Sequence, residues 1–271
     1  MPEKPEVADH YSTFYRDFAA DIYADVRRAA FGDDIGQNSW LTRSELERFA
    51  AQLALGPEVR LLDVACGAGG PALHLARLSG CHVVGVDLYD EGVANGNRLA
   101  REAGVEAQAR FVQADASAPL PFDDGSFAAI LCIDALNHLS GRPDVFADWA
   151  RLLEPGGRVL FTDPVTVTGA ITSEEIAIRS SIGYFLFLPP GENERLLSAA
   201  GLCAISSEDT TDSLAEVARR RGAARAERAD ELRRLEGDEA FDGRQRFFDM
   251  VATLARERRL SRFAHLAEKP R

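Results

Sequence analysis

Apolar and polar positions alternate along this chain with two different periods. From residue 59 to residue 164, short apolar runs are separated by stretches in which apolar residues recur at helical spacing. The run SFAAILCID at 126–134 is almost entirely apolar, as expected for a strand that is buried on both faces. Alternating strand and helix units of this length predict an α/β protein with a parallel, doubly wound sheet and right-handed crossovers.

The same pattern gives bounds for the predicted elements. The alternating region and the looser pattern after it together predict a seven-stranded Rossmann-like sheet. The predicted strands are 59–65, 81–87, 109–115, 126–134, 158–164, 203–209 and 260–270. The predicted helices are 71–80, 91–104, 143–157, 171–185 and 192–202, with two long helices over 212–258 that separate near Gly237.

Further helices are predicted outside the alternating region. Residues 11–55 are predicted helical with a polar break after residue 31: 11–31 carry aromatic side chains on roughly one face, and in the second helix Thr42 precedes Glu45 at the spacing of a capping box. Together with the helices at 171–185 and 212–258 they exceed what the sheet layers need, so we expect a helical cap. The expected organisation is an N-terminal helical lid (1–57), a Rossmann-like cofactor-binding core (58–165) and a C-terminal part of the fold with an inserted helical substrate cap (166–271).

Charge narrows the choice of partner. The 271 residues carry a net charge of −12, which argues against duplex nucleic acid because phosphate backbones bind clustered Lys and Arg. One arginine-rich stretch, 215–234, interleaves its arginines with acids. We expect a solvated helix there, with ion pairs four residues apart such as Asp230 with Arg234. A small-molecule partner is therefore expected, and no nucleic acid.

The remaining composition concerns compartment and metals. No window has the roughly 18 apolar residues of a membrane span, and the polar N-terminus contains no signal-peptide core. The four cysteines form no C-x-x-C pair and the five histidines have no metal-ligand spacing. We expect a cytoplasmic protein that binds no membrane and no metal; the pattern leaves the oligomeric state open.

A glycine-rich turn follows the first predicted strand, in LLDVACGAGG at 61–70. Gly67 and Gly69 permit a tight turn and a close approach of the backbone to a ligand, and open parallel sheets bind ligands at this end of their strands. Asp87 ends the second strand, 18 residues after Gly69, where an acid can bind the ribose hydroxyls of an adenosine-containing cofactor. This spacing fits a nicotinamide dinucleotide as well as other adenosine cofactors.

Two further acids distinguish between these cofactors. Asp63 lies inside the end of the first strand, where it would repel a diphosphate but tolerate a cationic centre and an amino-acid tail. Asp115 ends the third strand, where it could accept a hydrogen bond from an adenine amino group. Acids at the ends of three successive strands predict a ligand that is rich in hydrogen-bond donors and carries no phosphate.

In this order and spacing, VRLLDVACGAGG, VVGVDL, FVQADA, LPFDDGSFAAILCIDALNHL and LLEPGGRVLFTD resemble the successive motifs of class I S-adenosylmethionine-dependent methyltransferases. The resemblance covers roughly residues 38–164 and implies S-adenosyl-L-methionine as the cofactor. Asp63 would lie near the amino group of its methionine part, Asp87 at the ribose and Leu88 against the adenine. The full set of cofactor-binding residues that the resemblance implies is Trp40, Thr42, Asp63, Ala65, Gly67, Gly69, Asp87, Leu88, Asp115, Ala116 and Ile133.

The segment after the fourth strand concerns the methyl acceptor. Asp134 and His138 lie four residues apart, and this Asp-x-x-x-His pattern is similar to that of phosphoethanolamine methyltransferases; sarcosine methyltransferases resemble it in the histidine. The resemblance implies that His138 takes a proton and that Asp134 orients it or holds a cationic acceptor. The alternative is a structural His138, bonded to a carbonyl under the cap. The resemblance also implies Tyr11 as a catalytic residue and Tyr15, Arg179 and Tyr184 as substrate-binding residues.

The leading hypothesis is an S-adenosylmethionine-dependent methyltransferase that acts on a small molecule by in-line methyl displacement. An amine nitrogen is the first choice of acceptor, and oxygen or carbon the second. Such an enzyme mainly has to align the acceptor with the methyl group and exclude water. Two alternatives remain open, an NAD-dependent oxidoreductase, which Asp63 and Asp115 disfavour, and a catalytically silent cofactor-binding protein.

Overall fold

The structure, a computed structural model, describes Tyr15 and residues 20–271. Its strands are β1 (Arg60–Val64), β2 (His82–Asp87), β3 (Ala109–Gln113), β4 (Phe127–Cys132), β5 (Leu153–Val167), β6 (Cys203–Asp209) and β7 (Leu260–Glu268). Its described α-helices are α1 (Asp21–Phe31), α2 (Arg43–Gln52), α3 (Gly70–Ser79), α4 (Asp90–Glu102), α5 (Arg142–Leu152), α6 (Ser173–Arg179), α7 (Glu192–Ala199), α8 (Thr211–Ala226), α9 (Ala229–Glu236) and α10 (Asp238–Arg256).

The seven strands form one sheet in the order β3-β2-β1-β4-β5-β7-β6. Neighbours among β1 to β5 pair in parallel, whereas β7 runs antiparallel to both β5 and β6. The strand order reverses between β1 and β4, so the carboxyl ends of these strands border the crevice where such sheets bind ligands. The predicted seven-stranded, doubly wound α/β fold is confirmed.

Two apolar layers cover the two faces of the sheet. Leu61 belongs to one layer and Leu62 to the other, because successive side chains of a strand point to opposite faces. The first layer includes Phe49 of α2 and Leu75 of α3, and the second includes Trp149 of α5. Burial on both faces is why the strands read as apolar runs in the sequence.

Helices α1, α8, α9 and α10 pack on one another as a cap. Trp40, which lies between α1 and α2, packs with Leu214 of α8 and with Phe247 of α10. A second cluster joins Tyr23 of α1 to Phe241 of α10. Within the described range, no helix has the length and apolar character that crossing a bilayer would demand.

Several element bounds differ from the prediction. Strand β5 begins at Leu153, ahead of the Pro-Gly-Gly turn, because Leu153 already pairs with Phe127 of β4. The helix predicted at 171–185 ends at Arg179, where two serines and a glycine of poor helix propensity follow. Residues 212–258 form three helices and not two, with a break between α8 and α9 in addition to the expected one at Gly237, whose φ is +87°.

Candidate active site

The glycine loop turns sharply between β1 and α3. Ala65, Gly67 and Gly69 have φ values of +55°, +58° and +79°, which glycine tolerates and an L side chain seldom adopts. The backbone N–H of Gly67 donates to Oδ2 of Asp87 at 2.8 Å, and that of Tyr89 donates to Oδ1 at 3.1 Å. One carboxylate therefore holds the loop against the end of β2.

Asp63 is buried at the end of β1, with 4% of its surface exposed. No hydrogen bond holds its carboxyl within the part of the chain that the structure describes. Burial and the nearby charge of Asp87 raise the pKa of Asp63 from 3.8 to about 8. A buried carboxyl without partners is costly, and an ammonium group beside it would offset that cost.

The ends of the next strands border the same crevice. Leu88, directly after β2, is 48% exposed although it is apolar, so a ligand's ring could pack on it. Asp115, after β3, is exposed and accepts a hydrogen bond from Ser117 N at 2.9 Å, so it caps a turn while its carboxylate faces solvent. Ala116 and Ile133 are each 9% exposed at the same strand ends.

These features fit a cofactor that has an adenosine part and an amino-acid tail. The carboxyl group of Asp63, which has no hydrogen-bond partner in the described chain, suits an ammonium group. Asp87 lies where ribose hydroxyls are expected, and Leu88 offers an apolar surface for adenine. The individual cofactor contacts inferred from the sequence remain predictions.

Asp134 follows β4 with a φ of +51°, an uncommon value for a residue other than glycine. Its Oδ1 accepts hydrogen bonds from Thr162 Oγ1 at 2.7 Å and from Arg262 Nε at 2.8 Å. Its Oδ2 accepts from the backbone N–H of Trp40 at 2.9 Å. Arg262 of β7 also donates to Glu45 at 2.8 Å, so this buried cluster connects β4, β7 and α2.

This arrangement corrects the expected role of Asp134. Its carboxylate does not hydrogen-bond to His138 within the described chain, and it pairs with Arg262, which also pairs with Glu45. Asp134 is therefore placed to position the segment around Trp40 and not to orient the imidazole, while its role towards a cationic acceptor stays a prediction. Thr42, expected at the cofactor, caps α2: its side chain accepts from Glu45 N at 3.2 Å.

His138 ends a single turn of 3-10 helix, Leu136–His138, directly after Asp134 and Ala135. Its Nδ1 lies 2.8 Å from the carbonyl oxygen of Tyr184, and because a carbonyl only accepts, Nδ1 carries the proton. The ring of Phe185 packs against it at 4.5 Å between centroids. Burial lowers the pKa of His138 from 6.5 to about 4, and the charge of Arg179 acts in the same direction.

A pocket of about 110 Å³ opens between the cap and the segments that follow β4 and β5. Among the described residues, five arginines and five aromatic residues line it, and Asp134 supplies the single lining carboxylate. Arg179 lies 4.7 Å from the ring centroid of Phe185, and Arg221 lies 4.8 Å from that of Phe248. Three of the lining arginines, Arg27, Arg225 and Arg244, are paired with acids outside the pocket lining, so the pocket combines paired cations with flat apolar side chains.

The predicted substrate residues lie in different places. Arg179 is buried and lines the pocket beside His138. Tyr184 contributes its carbonyl oxygen to His138, while its side chain is 51% exposed. Tyr15 lies against the glycine loop, with its hydroxyl 3.0 Å from where a Cβ on Gly67 would be, and it does not line this pocket. Tyr11 lies outside the described residues.

Sequence reasoning missed three residues that line the pocket. Arg221 and Arg225 were expected on a solvated helix face, yet Arg225 is buried and paired with Glu236 at 2.7 Å, and Arg221 donates to Asn38 O at 3.0 Å. Asn137 is fully buried in the pocket wall. Asn137 could have been found from the sequence because it lies next to His138. Nothing in the sequence indicated the two arginines, because their partners are remote in sequence.

Together, this strand order and acids at three strand ends define an α/β domain that binds an adenosine cofactor without phosphate. The sequence model of a protein family described as "Methyltransferase domain" matches residues 62–161 of this chain. The chain is 30% identical over 203 residues to the 27-O-demethylrifamycin SV methyltransferase of Amycolatopsis mediterranei, an alignment that covers 70% of this chain and 74% of that protein. The chain belongs to the S-adenosylmethionine-dependent methyltransferases, so the NAD-dependent alternative is not supported.

Other similar proteins differ in length and in the atom they methylate. The chain is 31% identical over 180 residues to the glycine/sarcosine/dimethylglycine N-methyltransferase of Actinopolyspora halophila, covering 66% of this chain but 32% of that protein. It thus spans about a third of that relative's length. The solved phosphoethanolamine N-methyltransferase 2 of Haemonchus contortus shares the fold, with a TM-score of 0.81, 20% identity and coverage of 98% of this chain and 61% of that one. By their names, the matched proteins methylate nitrogen, oxygen or carbon.

Proposed function

We propose that this chain methylates an amine nitrogen of a small molecule that binds in the pocket beside His138. The observation that carries the proposal is the setting of His138, whose Nδ1–H is donated to the carbonyl oxygen of Tyr184. This bond makes Nε2 the basic nitrogen of a neutral ring. An amine N–H can donate to such a nitrogen, and the amine is then oriented without first losing a proton.

The electrostatics of the pocket support nitrogen over oxygen. With its pKa lowered to about 4, His138 is a poor base for a hydroxyl group, even for a phenol, whose pKa is about 10. An amine in its uncharged form has its own lone pair and needs no such base. The charge of Arg179, which also lowers the pKa of His138, favours this uncharged form because it disfavours an ammonium group nearby.

When bound, S-adenosylmethionine would supply a methyl group activated on a sulfonium for in-line displacement. Asp63 would bind its ammonium group, Asp87 its ribose hydroxyls and Leu88 the face of its adenine. The hydrogen bond from Trp40 N to Asp134 holds the segment before α2 beside the pocket, where it would exclude water. Tyr11 remains a prediction as a residue that covers the acceptor.

The test is methyl transfer from radiolabelled S-adenosylmethionine to paired acceptors that differ only in an amine or a hydroxyl group. We expect transfer to the amine, at a rate that rises with pH as the amine loses its proton and shows no inflection near pH 6.5 from His138. His138→Asn should lower kcat, whereas His82→Asn, at an exposed position on β2, should not. Transfer to the hydroxyl compounds alone would contradict the proposal, and binding without any transfer would favour the silent cofactor-binding protein.

A further inference from the structure

Asn137 is fully buried, yet neither its amide oxygen nor its amide nitrogen has a hydrogen-bond partner in the described part of the chain. It lies between β4 and α5 and lines the pocket next to His138. Buried amides without partners are uncommon in folded proteins, because each has given up its hydrogen bonds to water. In a pocket wall, such a side chain indicates a ligand that completes these bonds.

The backbone around Asn137 fixes the position of this side chain. Its carbonyl oxygen accepts from Leu186 N at 2.9 Å, which connects the turn to the segment after α6. The backbone N–H of His138 donates to Ala135 O at 2.9 Å within the turn. These backbone hydrogen bonds fix the turn, and the turn holds the side-chain amide of Asn137 in the pocket wall.

The chemistry of an amide restricts what can complete it. A carboxylate would satisfy only the amide nitrogen and an ammonium group only the oxygen. A planar group with a donor next to an acceptor would satisfy both, through two parallel hydrogen bonds of the kind that Asn makes to adenine. Trp40 and Phe247 line the same pocket and stack on each other, with ring planes 25° apart and centroids 6.1 Å apart. Together they form one flat apolar wall, and such a wall suits a planar group.

We propose that Asn137 selects acceptors that carry a planar donor–acceptor edge, such as a carboxamide, a lactam or an amino-substituted heterocycle. The assignment rests on the proposed function in one respect, that the molecule bound in this pocket is the methyl acceptor. The reacting amine then belongs to the same molecule and lies within reach of His138. Asn137 determines specificity in this assignment and takes no part in the chemical step.

Calorimetric binding with S-adenosylhomocysteine present tests the assignment without turnover. The probes are 3-aminobenzamide, 3-aminobenzoate and methyl 3-aminobenzoate, which share a ring and an amine and differ in the edge they offer to Asn137. We expect the amide to bind at least about tenfold more tightly than the methyl ester, which lacks the donor. The carboxylate, which the lining arginines attract, measures how much affinity charge alone supplies. Asn137→Leu should remove this preference and should not lower Tm, because it replaces an unpartnered amide by an apolar group of similar size.

A second variant of Asn137 and a control variant complete the experiment. Asn137→Ala repeats the test with a smaller side chain in case leucine does not fit. Asn38→Ala, at a lining asparagine whose amide oxygen already accepts from Arg221 at 3.2 Å, should keep the preference. The assignment is overturned by equal or undetectable binding of the amide and the methyl ester to the wild-type protein, or by a preference that survives in both Asn137 variants. If the amide preference holds while methyl transfer goes to hydroxyl groups, the proposed amine acceptor fails and this assignment stands.

Discussion

Replacing Asp63 by asparagine should stabilise the cofactor-free protein, and increasingly so as pH rises. The carboxyl is buried beside Asp87, and its pKa is raised from 3.8 to about 8. The folded chain therefore keeps this proton up to about pH 8, whereas the unfolded chain loses it near the ordinary value. The contribution of this group to stability is complete below about pH 4 and is lost as pH rises to about 8.

The size of the effect follows from the same two pKa values. At about 1.4 kcal/mol for each pKa unit, the span from 3.8 to about 8 corresponds to about 6 kcal/mol. The difference in unfolding free energy between Asp63→Asn and wild type should rise by about 1.4 kcal/mol per pH unit up to about pH 8 and then level off. Urea unfolding of both proteins between about pH 5 and pH 9 measures this slope directly.

The same carboxyl predicts a proton signature for cofactor binding. An ammonium group beside Asp63 favours the charged carboxylate, so binding of S-adenosylhomocysteine near pH 7 should release a proton and should tighten as pH rises towards about 8. Calorimetry in two buffers of different ionisation enthalpy measures this release, which Asp63→Asn should abolish. A stability difference that is constant across pH, together with binding that releases no proton, would show that Asp63 is already ionised in the folded protein and would refute the reasoning.

Substitutions at three other positions test the packing around the site. Thr42→Ala removes the capping box of α2 and should cost about 1 kcal/mol in urea unfolding. Gly70→Ala would place a Cβ 2.3 Å from the carbonyl oxygen of Ile35, so it should displace the segment before α2 and weaken the binding of S-adenosylhomocysteine measured by calorimetry. Arg262→Met leaves two buried carboxylates without their cation and should cost about 3–5 kcal/mol in unfolding free energy, while a loss below about 1 kcal/mol would contradict the burial of these charges.

The sheet could be predicted because its information is local. Strands buried on both faces appear as apolar runs, and the glycines and prolines between them mark the turns. The predicted ends of helices and strands were wrong where pairing or packing with a segment remote in sequence determines them. The pairing of Leu153 with Phe127 of β4 extends β5 through a Pro-Gly-Gly sequence that locally indicates a turn. The break between α8 and α9 brings Arg225 to Glu236, which no helical period could indicate.

The same distinction separates the residues of the candidate site that could be predicted from those that could not. The acids at the strand ends were predictable because the topology of a parallel sheet gathers the carboxyl ends of its strands at one edge. The partner of Asp134 was not predictable, since Arg262 lies 128 residues further along the chain. The four-residue spacing and the family resemblance suggested His138 as its partner, but the turn between them is 3-10 and the chain at Asp134 has a positive φ. An i,i+4 argument holds only where the backbone is an α-helix.

The buried Arg262 cluster fixes the relative positions of the segments that it connects. This effect is separate from its contribution to the free energy of unfolding. Buried ion pairs seldom stabilise a fold more than apolar residues of the same shape would, because removing charges from water costs about as much as their attraction returns. Their geometry, however, tolerates few alternatives: Arg262 reaches Asp134 and Glu45 together only when β7, the end of β4 and α2 are in register. Since Asp134 also binds the backbone of Trp40, the same register sets where that aromatic side chain lies in the pocket. The position of the pocket wall is therefore fixed by charged groups of the described chain that form no hydrogen bond to His138.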